Sequence, residues 1–248
     1  MSRFEIHLPD EKLRIKPPRS IYYGPPKIGK STFASKFPSP IFIQAEDGVS
    51  GLNVSKIPRT PLASWDELMK CCDQVLKSPH EMKTLVVDTI DRVEHLSRQW
   101  VLKHTYSNNK KDFMAYFKGP VEAGQKISEL LVCLDQIRDE RGMNIIVLSH
   151  EGLHKGADEL GEEFKKTAPS VSRYAWEQLH NWADQIGHIT NDFRVVQGKA
   201  RQANKGRHIV FSGHPGKEAG TRAGYEMPKE IKLNFEEYLK HTKEYLAC

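Results

Sequence analysis

Cysteine is scarce in this chain, and long apolar runs are missing. Four cysteines stand among 248 residues, at Cys71, Cys72, Cys133 and Cys248. The adjacent pair lacks the C-x-x-C spacing that clamps zinc, and no Cys/His pairs complete such a site, so the four read as reduced thiols carried mostly on helices. No apolar stretch approaches the roughly 20 residues that span a bilayer, so no membrane partner is expected. The opening "MSRFEIHLPDEKLRIK" is charged throughout and has no signal-peptide core, which points to a cytoplasmic location. Internal repeats and low-complexity tracts are also missing. Neither charge sign dominates: 37 basic against 32 acidic residues leave +5, which permits a nucleic-acid partner without requiring one, because charge must cluster to count.

What is present is a regular alternation of short β-branched runs with longer helical patterns. Strands are expected at 20–23, 40–44, 84–88, 144–149, 185–190, 193–197 and 208–212. Helices are expected at 30–37, 65–77, 90–104 and 121–141. Ser64 and Glu67 have capping-box spacing at the start of the second helix. "TLVVD" and "NIIVLS" are nearly continuous apolar runs, the mark of parallel strands buried on both faces. The later strands have shorter connections and look antiparallel. The fold class is therefore α/β, a mainly parallel sheet with helices on both faces and antiparallel strands added at one edge. We read 1–248 as one domain, with an N-terminal arm over 1–18 and an amphipathic helical tail over 225–248.

Between the first strand and the first helix lies "GPPKIGKST". Gly24, Pro25, Pro26, Lys27, Ile28, Gly29, Lys30 and Ser31, followed by Thr32, satisfy G-x-x-x-x-G-K-[ST] at every fixed position. The glycines let successive backbone N–H groups turn inward onto phosphate oxygens. Lys30 supplies a point charge for the β- and γ-phosphates of ATP, Ser31 offers a hydroxyl to Mg²⁺, and the following helix aims its positive end at the same place. The competing reading is a proline-rich surface turn; the strand before and the helix after favour the phosphate cradle.

Three strand ends complete the chemistry. Asp88 closes "TLVVD" and is the expected carboxylate of the Mg²⁺ shell, whereas Asp91 reads as an ordinary first-turn acid. Glu46, after "IFIQ", is placed to polarise the attacking water, and Asp47-Gly48 reads as turn chemistry. His150 ends "NIIVLS", where it can hydrogen-bond the γ-phosphate. His150 and His154 share an i, i+4 spacing, but with no third ligand nearby no metal site is expected.

This ordered set, glycine-rich loop, "IFIQAEDG", "TLVVDTID" and "IIVLSH", resembles the RecA-like ATPases over about residues 19–230. It is similar in particular to a small phage-encoded P-loop family of AAA type, some of whose members are single-strand-annealing recombinases. The resemblance implies a core that assembles into rings or filaments with ATP at subunit interfaces, and Glu46 matches the catalytic glutamate. His150 departs from the pattern, which has a glutamine there to sense the γ-phosphate. Single-stranded DNA is the implied partner, held by two loops, with a single-strand-binding protein as a conceivable loader. The first loop is "YSNNKKDFMAYFKGP", where Lys110, Lys111 and Lys118 alternate with Phe113, Tyr116 and Phe117: cations for phosphates and aromatic faces for bases. The second is 151–170, where Lys165 and Lys166 would face DNA, or the segment is a mobile lid. Lys199 and Arg201 resemble the K-x-R with which ring-forming relatives reach a neighbour's ATP site. The expected function is an ATP-dependent, DNA-stimulated strand-annealing or pairing protein. The alternatives are a ring helicase motor, a small-metabolite kinase and a weakly hydrolysing assembly switch.

Overall fold

The computed structural model describes residues 15–157, 163–196 and 199–247, and the side chains at 156–157, 163, 192–196 and 199–205 lie outside that description. Its ten strands are β1 (Arg19–Gly24), β2 (Pro40–Gln44), β3 (Ser55–Ile57), β4 (Thr84–Asp88), β5 (Asn144–Ala157), β6 (Glu163–Pro169), β7 (Gln185–Val196), β8 (Lys199–Val210), β9 (Gly220–Thr221) and β10 (Glu230–Lys232). The helices are α1 (Lys30–Ala34), α2 (Trp65–Lys77), α3 (Ile90–His104), α4 (Lys110–Met114), α5 (Lys118–Arg141), α6 (Arg173–Trp182) and α7 (Phe235–Lys240).

The main sheet has the order β10-β8-β7-β1-β5-β4-β2-β3. The run from β7 to β3 is parallel throughout; β8, β9 and β10 add antiparallel pairings at one side. This is the expected fold class. Period-two alternation explains the layers, because successive side chains on a strand face opposite ways. Ile21, Tyr23, Ile43, Leu85, Val87, Ile145 and Val147 meet one core, packed with Trp65 and Leu68 of α2 and Ile127 and Leu134 of α5. Tyr22, Phe42, Val86, Ile146 and Leu148 meet the other, beneath α1 and α7. There Tyr22 touches Phe33 edge-on at 5.3 Å and Tyr238 at 6.2 Å, contacts that contribute about 1 kcal/mol each beyond burial.

Several expectations change. Helix α1 ends at Ala34. Segments 185–190 and 193–197 belong to one strand, interrupted by an irregularity between Asn191 and Phe193. The 151–170 segment is strand rather than loop over most of its described residues: β5 runs on past His150 and pairs with β6 from Glu151↔Pro169 to Ala157↔Glu163. The tail is not one helix, since Glu230–Lys232 pairs with β8 and only Phe235–Lys240 is helical. At the start of α2, Ser64 Oγ accepts from the Glu67 amide, but the Glu67 carboxylate reaches the Ala63 amide rather than its cap.

Candidate nucleotide site

Parallel strands deliver their carboxyl ends to one edge, and the register says which residues meet there. Gly24 lies opposite His150, Leu148 opposite Asp88, and Asp88 opposite Gln44. Sandwiching β5 between β1 and β4 therefore puts His150 between the glycine-rich loop and Asp88. The Asp88 carbonyl then accepts from the amides of Ala45 at 2.8 Å and Glu46 at 3.3 Å, which holds Glu46 beside it.

A cleft of about 470 Å³ opens at this edge, lined among others by Lys30, Ser31, Glu46, Asp88 and His150. Pro26, Lys27, Gly29 and Thr32 also face it. Gly24, Pro25 and Ile28 do not line it. The Ile28 side chain is buried in the α1 core, so only its backbone is offered to the loop. Gly24 is glycine for packing reasons: a Cβ there would lie 2.3 Å from the Ile189 carbonyl oxygen. Gly29 adopts φ +108°, a conformation glycine takes freely. Its peptide is fixed from outside by Arg207, whose Nη1 donates to the Ile28 carbonyl at 2.7 Å.

Lys30 is buried, and its ammonium donates to the carbonyls of Gly24 and Pro25, both at 2.9 Å. Burial pulls its pKa below the ordinary value, against the opposing pull of Asp88, Asp91 and Glu46. Asp88 is also buried, and desolvation raises its pKa although Ser31 Oγ donates to it at 2.7 Å. Whether Mg²⁺ fits here can be judged from the donors themselves. Ser31 and Asp88 supply hard oxygen atoms side by side, the ligand type that magnesium takes. Gly48 leaves the approach open, because a Cβ there would sit 3.5 Å from Asp88 Oδ2 and 4.0 Å from Ser31 Oγ. The adjacent Thr89 hydroxyl is buried without a hydrogen-bond partner. The residues fit the metal, with Ser31 and Asp88 as the groups that would hold it. Gly48, read from sequence as a turn residue, is part of this opening.

Asp91 does more than an ordinary first-turn acid. Its Oδ2 accepts from His150 Nδ1 at 2.8 Å, and its Oδ1 accepts from the His150 amide at 3.1 Å and Ser149 Oγ at 3.2 Å. Glu46 Oε1 lies 3.8 Å from His150 Nε2. One side-chain oxygen or nitrogen each from Glu46, Asp91 and His150 falls within 4.8 Å of the others. His154, by contrast, is engaged with the Pro169 carbonyl at 2.8 Å.

The pair titrates in opposite directions. The Asp91 bond raises the His150 pKa; burial pushes the Asp91 carboxyl up, but the His150 bonds outweigh it and hold Asp91 below its usual value. The histidine contribution to stability is thus complete below about pH 6.5 and fades as pH rises through its raised folded pKa. The Asp91 contribution is complete above about pH 3.9 and fades as pH falls through its lowered one. In thermal unfolding, the advantage of wild type over His150→Gln is expected to be widest between about pH 4 and 6.5 and smaller by roughly 1 kcal/mol at pH 9. A gap independent of pH would show that the ion pair does not form.

The proposed DNA contacts divide. Phe113 is 5% exposed and packs with Val101 and Ala123, so it is a core residue and not a stacking face. Its segment is α4 rather than an open loop. Lys166 is committed to Glu218 at 2.6 Å and does not present a free cation. Lys165 is exposed on β6, in register with Lys155. Lys110, Lys111 and Lys118 are exposed, as are Tyr116 at 91% and Phe117 at 62%. The backbones of Lys199 and Arg201 begin β8, opposite Val196 and Arg194, and their side chains lie outside the described residues. Cys71, Cys72 and Cys133 are free, buried and helical; Cys248 lies outside the described residues.

A mainly parallel sheet bearing a glycine-rich loop, a neighbouring strand-end aspartate and a cleft between them defines the P-loop nucleotide-binding class. Residues 16–223 match the family described as "AAA domain", and the chain belongs to this family of P-loop ATPases. No curated protein matches it. Among solved structures, the "Crystal structure of the RadB recombinase" is similar at TM-score 0.44 and 15% identity, over 79% of this chain and 81% of that one. No helix among the described residues is long and apolar enough to cross a membrane.

Proposed function

We propose that this ATPase binds single-stranded DNA and couples Mg-ATP hydrolysis to pairing or annealing of strands, as one domain that associates with copies of itself. Tyr116 and Phe117 carry the DNA part of this reading. Both rings stand in solvent, and both backbones are left-handed, at φ 51° and 57°. Bulky residues adopt that conformation only at a cost of about 1 kcal/mol or more, and strain of this kind concentrates where a side chain has to be presented. Exposed Lys110, Lys111 and Lys118 flank the two rings along the chain. Aromatic faces among cations suit a strand whose bases are unpaired.

In the nucleotide cleft, Lys30 would pair with the β- and γ-phosphates and Glu46 would accept a proton from the attacking water. Ser31 and Asp88 would hold Mg²⁺, which when bound neutralises charge developing on the phosphate oxygens. Lys199 and Arg201 would serve a neighbour's cleft, and a single-strand-binding protein would be a natural loader.

The test is ATP turnover and single-strand affinity for wild type and Tyr116→Ala/Phe117→Ala. Losing two stacking faces is expected to weaken single-strand binding by at least about tenfold and to abolish DNA-stimulated turnover. Wild-type turnover that does not respond to single-stranded DNA would reject the DNA reading and favour an assembly switch.

A further inference from the structure

We infer that Asp91 is the positioning residue that lets a histidine at position 150 read the γ-phosphate, a task that requires a hydrogen-bond donor. The inference rests on the nucleotide-site reading above. A terminal phosphate presents only acceptor oxygens, so whatever meets it has to donate. An amide side chain donates from its NH₂ in every protonation state. A neutral imidazole has one N–H, and here geometry directs it away from the cleft: Nδ1 lies 2.8 Å from Asp91 Oδ2, an oxygen that can only accept while ionised. Nε2 is the nitrogen left facing the cleft, 3.8 Å from Glu46 Oε1 and beyond hydrogen-bond distance of it. In the neutral ring that nitrogen would be an acceptor and would oppose the phosphate. It donates only when the ring carries a second proton, and the carboxylate behind Nδ1 stabilises that cation.

Asp91 fixes more than the ring. Its other oxygen takes the backbone amide of His150 at 3.1 Å and the Ser149 hydroxyl at 3.2 Å, so one carboxylate holds both backbone and imidazole of the sensing residue. The carboxylate is itself placed by secondary structure. Asp91 lies in the first turn of α3, directly after β4, and β4 and β5 are hydrogen-bonded neighbours. The sequence D-T-I-D therefore puts Asp88 at the metal-facing strand end and Asp91 against the adjacent strand, so two carboxylates three residues apart have separate duties.

Equilibrium binding of Mg-ADP and of the Mg complex of a non-hydrolysable β,γ-imido ATP analogue separates this role from general stability. Asp91→Asn is expected to reduce the preference for the analogue over ADP by about tenfold, while ADP affinity changes less than about threefold. In a His150→Gln background, where the donor no longer depends on a proton, Asp91→Asn should change the preference by less than about twofold. An unchanged preference in Asp91→Asn overturns the inference. So does an equal loss in the His150→Gln background, which would mean that Asp91 acts by another route. If wild type binds neither nucleotide, it is the nucleotide-site reading itself that fails.

Discussion

Replacing Lys30 with alanine is expected to abolish measurable ATP turnover, a loss of at least about a thousandfold, while leaving the folded protein intact. The rate loss follows from the position of the ammonium. It is a buried cation of the cleft lining, and charge stabilisation at a transferring phosphoryl group is the largest contribution a protein makes to this reaction. The stability outcome follows from its surroundings. Burial lowers the Lys30 pKa, so the charged form carries a folding cost that alanine removes. Against this stand two hydrogen bonds, to the Gly24 and Pro25 carbonyls, and the packing of the aliphatic stem. These opposing contributions are each of order 1–3 kcal/mol, so the unfolding temperature should move by only a few degrees. Turnover within tenfold of wild type would remove the phosphate cradle from this loop, and with it the functional reading built on it.

The parts of this site that are legible in the sequence are those whose chemistry is local. The nine residues 24–32 carry their own geometry, since glycine, lysine and serine at fixed spacing need no distant partner to be recognised. Asp88 and Glu46 follow from a second regularity, that an acid ending a buried parallel strand emerges at the carboxyl edge. What the sequence conceals depends on tertiary partners. Phe113 looks like an aromatic in a basic loop until folding brings Val101 of α3, Tyr106 and Ala123 of α5 against it. Lys166 looks free until Glu218 arrives beside it. The tail has helical periodicity, but Glu230–Lys232 has an open strand edge to pair with at β8, and tertiary pairing overrides propensity. Glycines at 152 and 156 make the β5–β6 hairpin read as loop, because glycine in an isolated strand is unfavourable. Helix α6 is the opposite case. Its cap Ser172 accepts from the Ala175 amide, and Ala175, Trp176, Leu179 and Trp182 fall on one face at helical spacing, so both signals are local and present in the sequence although no helix is expected there.

Glu46→Gln should slow turnover by about 10²- to 10⁴-fold while ATP binding persists, trapping a nucleotide-loaded protein. The choice of Glu46 over its neighbours comes from following each carboxylate at the cleft to its partner. Asp88 is buried and tied to Ser31 at 2.7 Å, and desolvation raises its pKa. Asp91 accepts three hydrogen bonds from Ser149 and His150. Asp47 accepts from Ser50 outside the cleft lining. Glu46 has as its nearest described basic group His150 Nε2 at 3.8 Å, too long for a hydrogen bond, and is half-buried in the cleft lining where water can reach it. Its own placement does not depend on the side chain, because its amide is bonded to the Asp88 carbonyl, so glutamine should sit in the same place with its basicity removed. A merely exposed strand-end acid would leave turnover unchanged on this substitution. Loss of ATP binding together with turnover would instead make Glu46 a binding group. Only slow hydrolysis with retained nucleotide identifies it as the base.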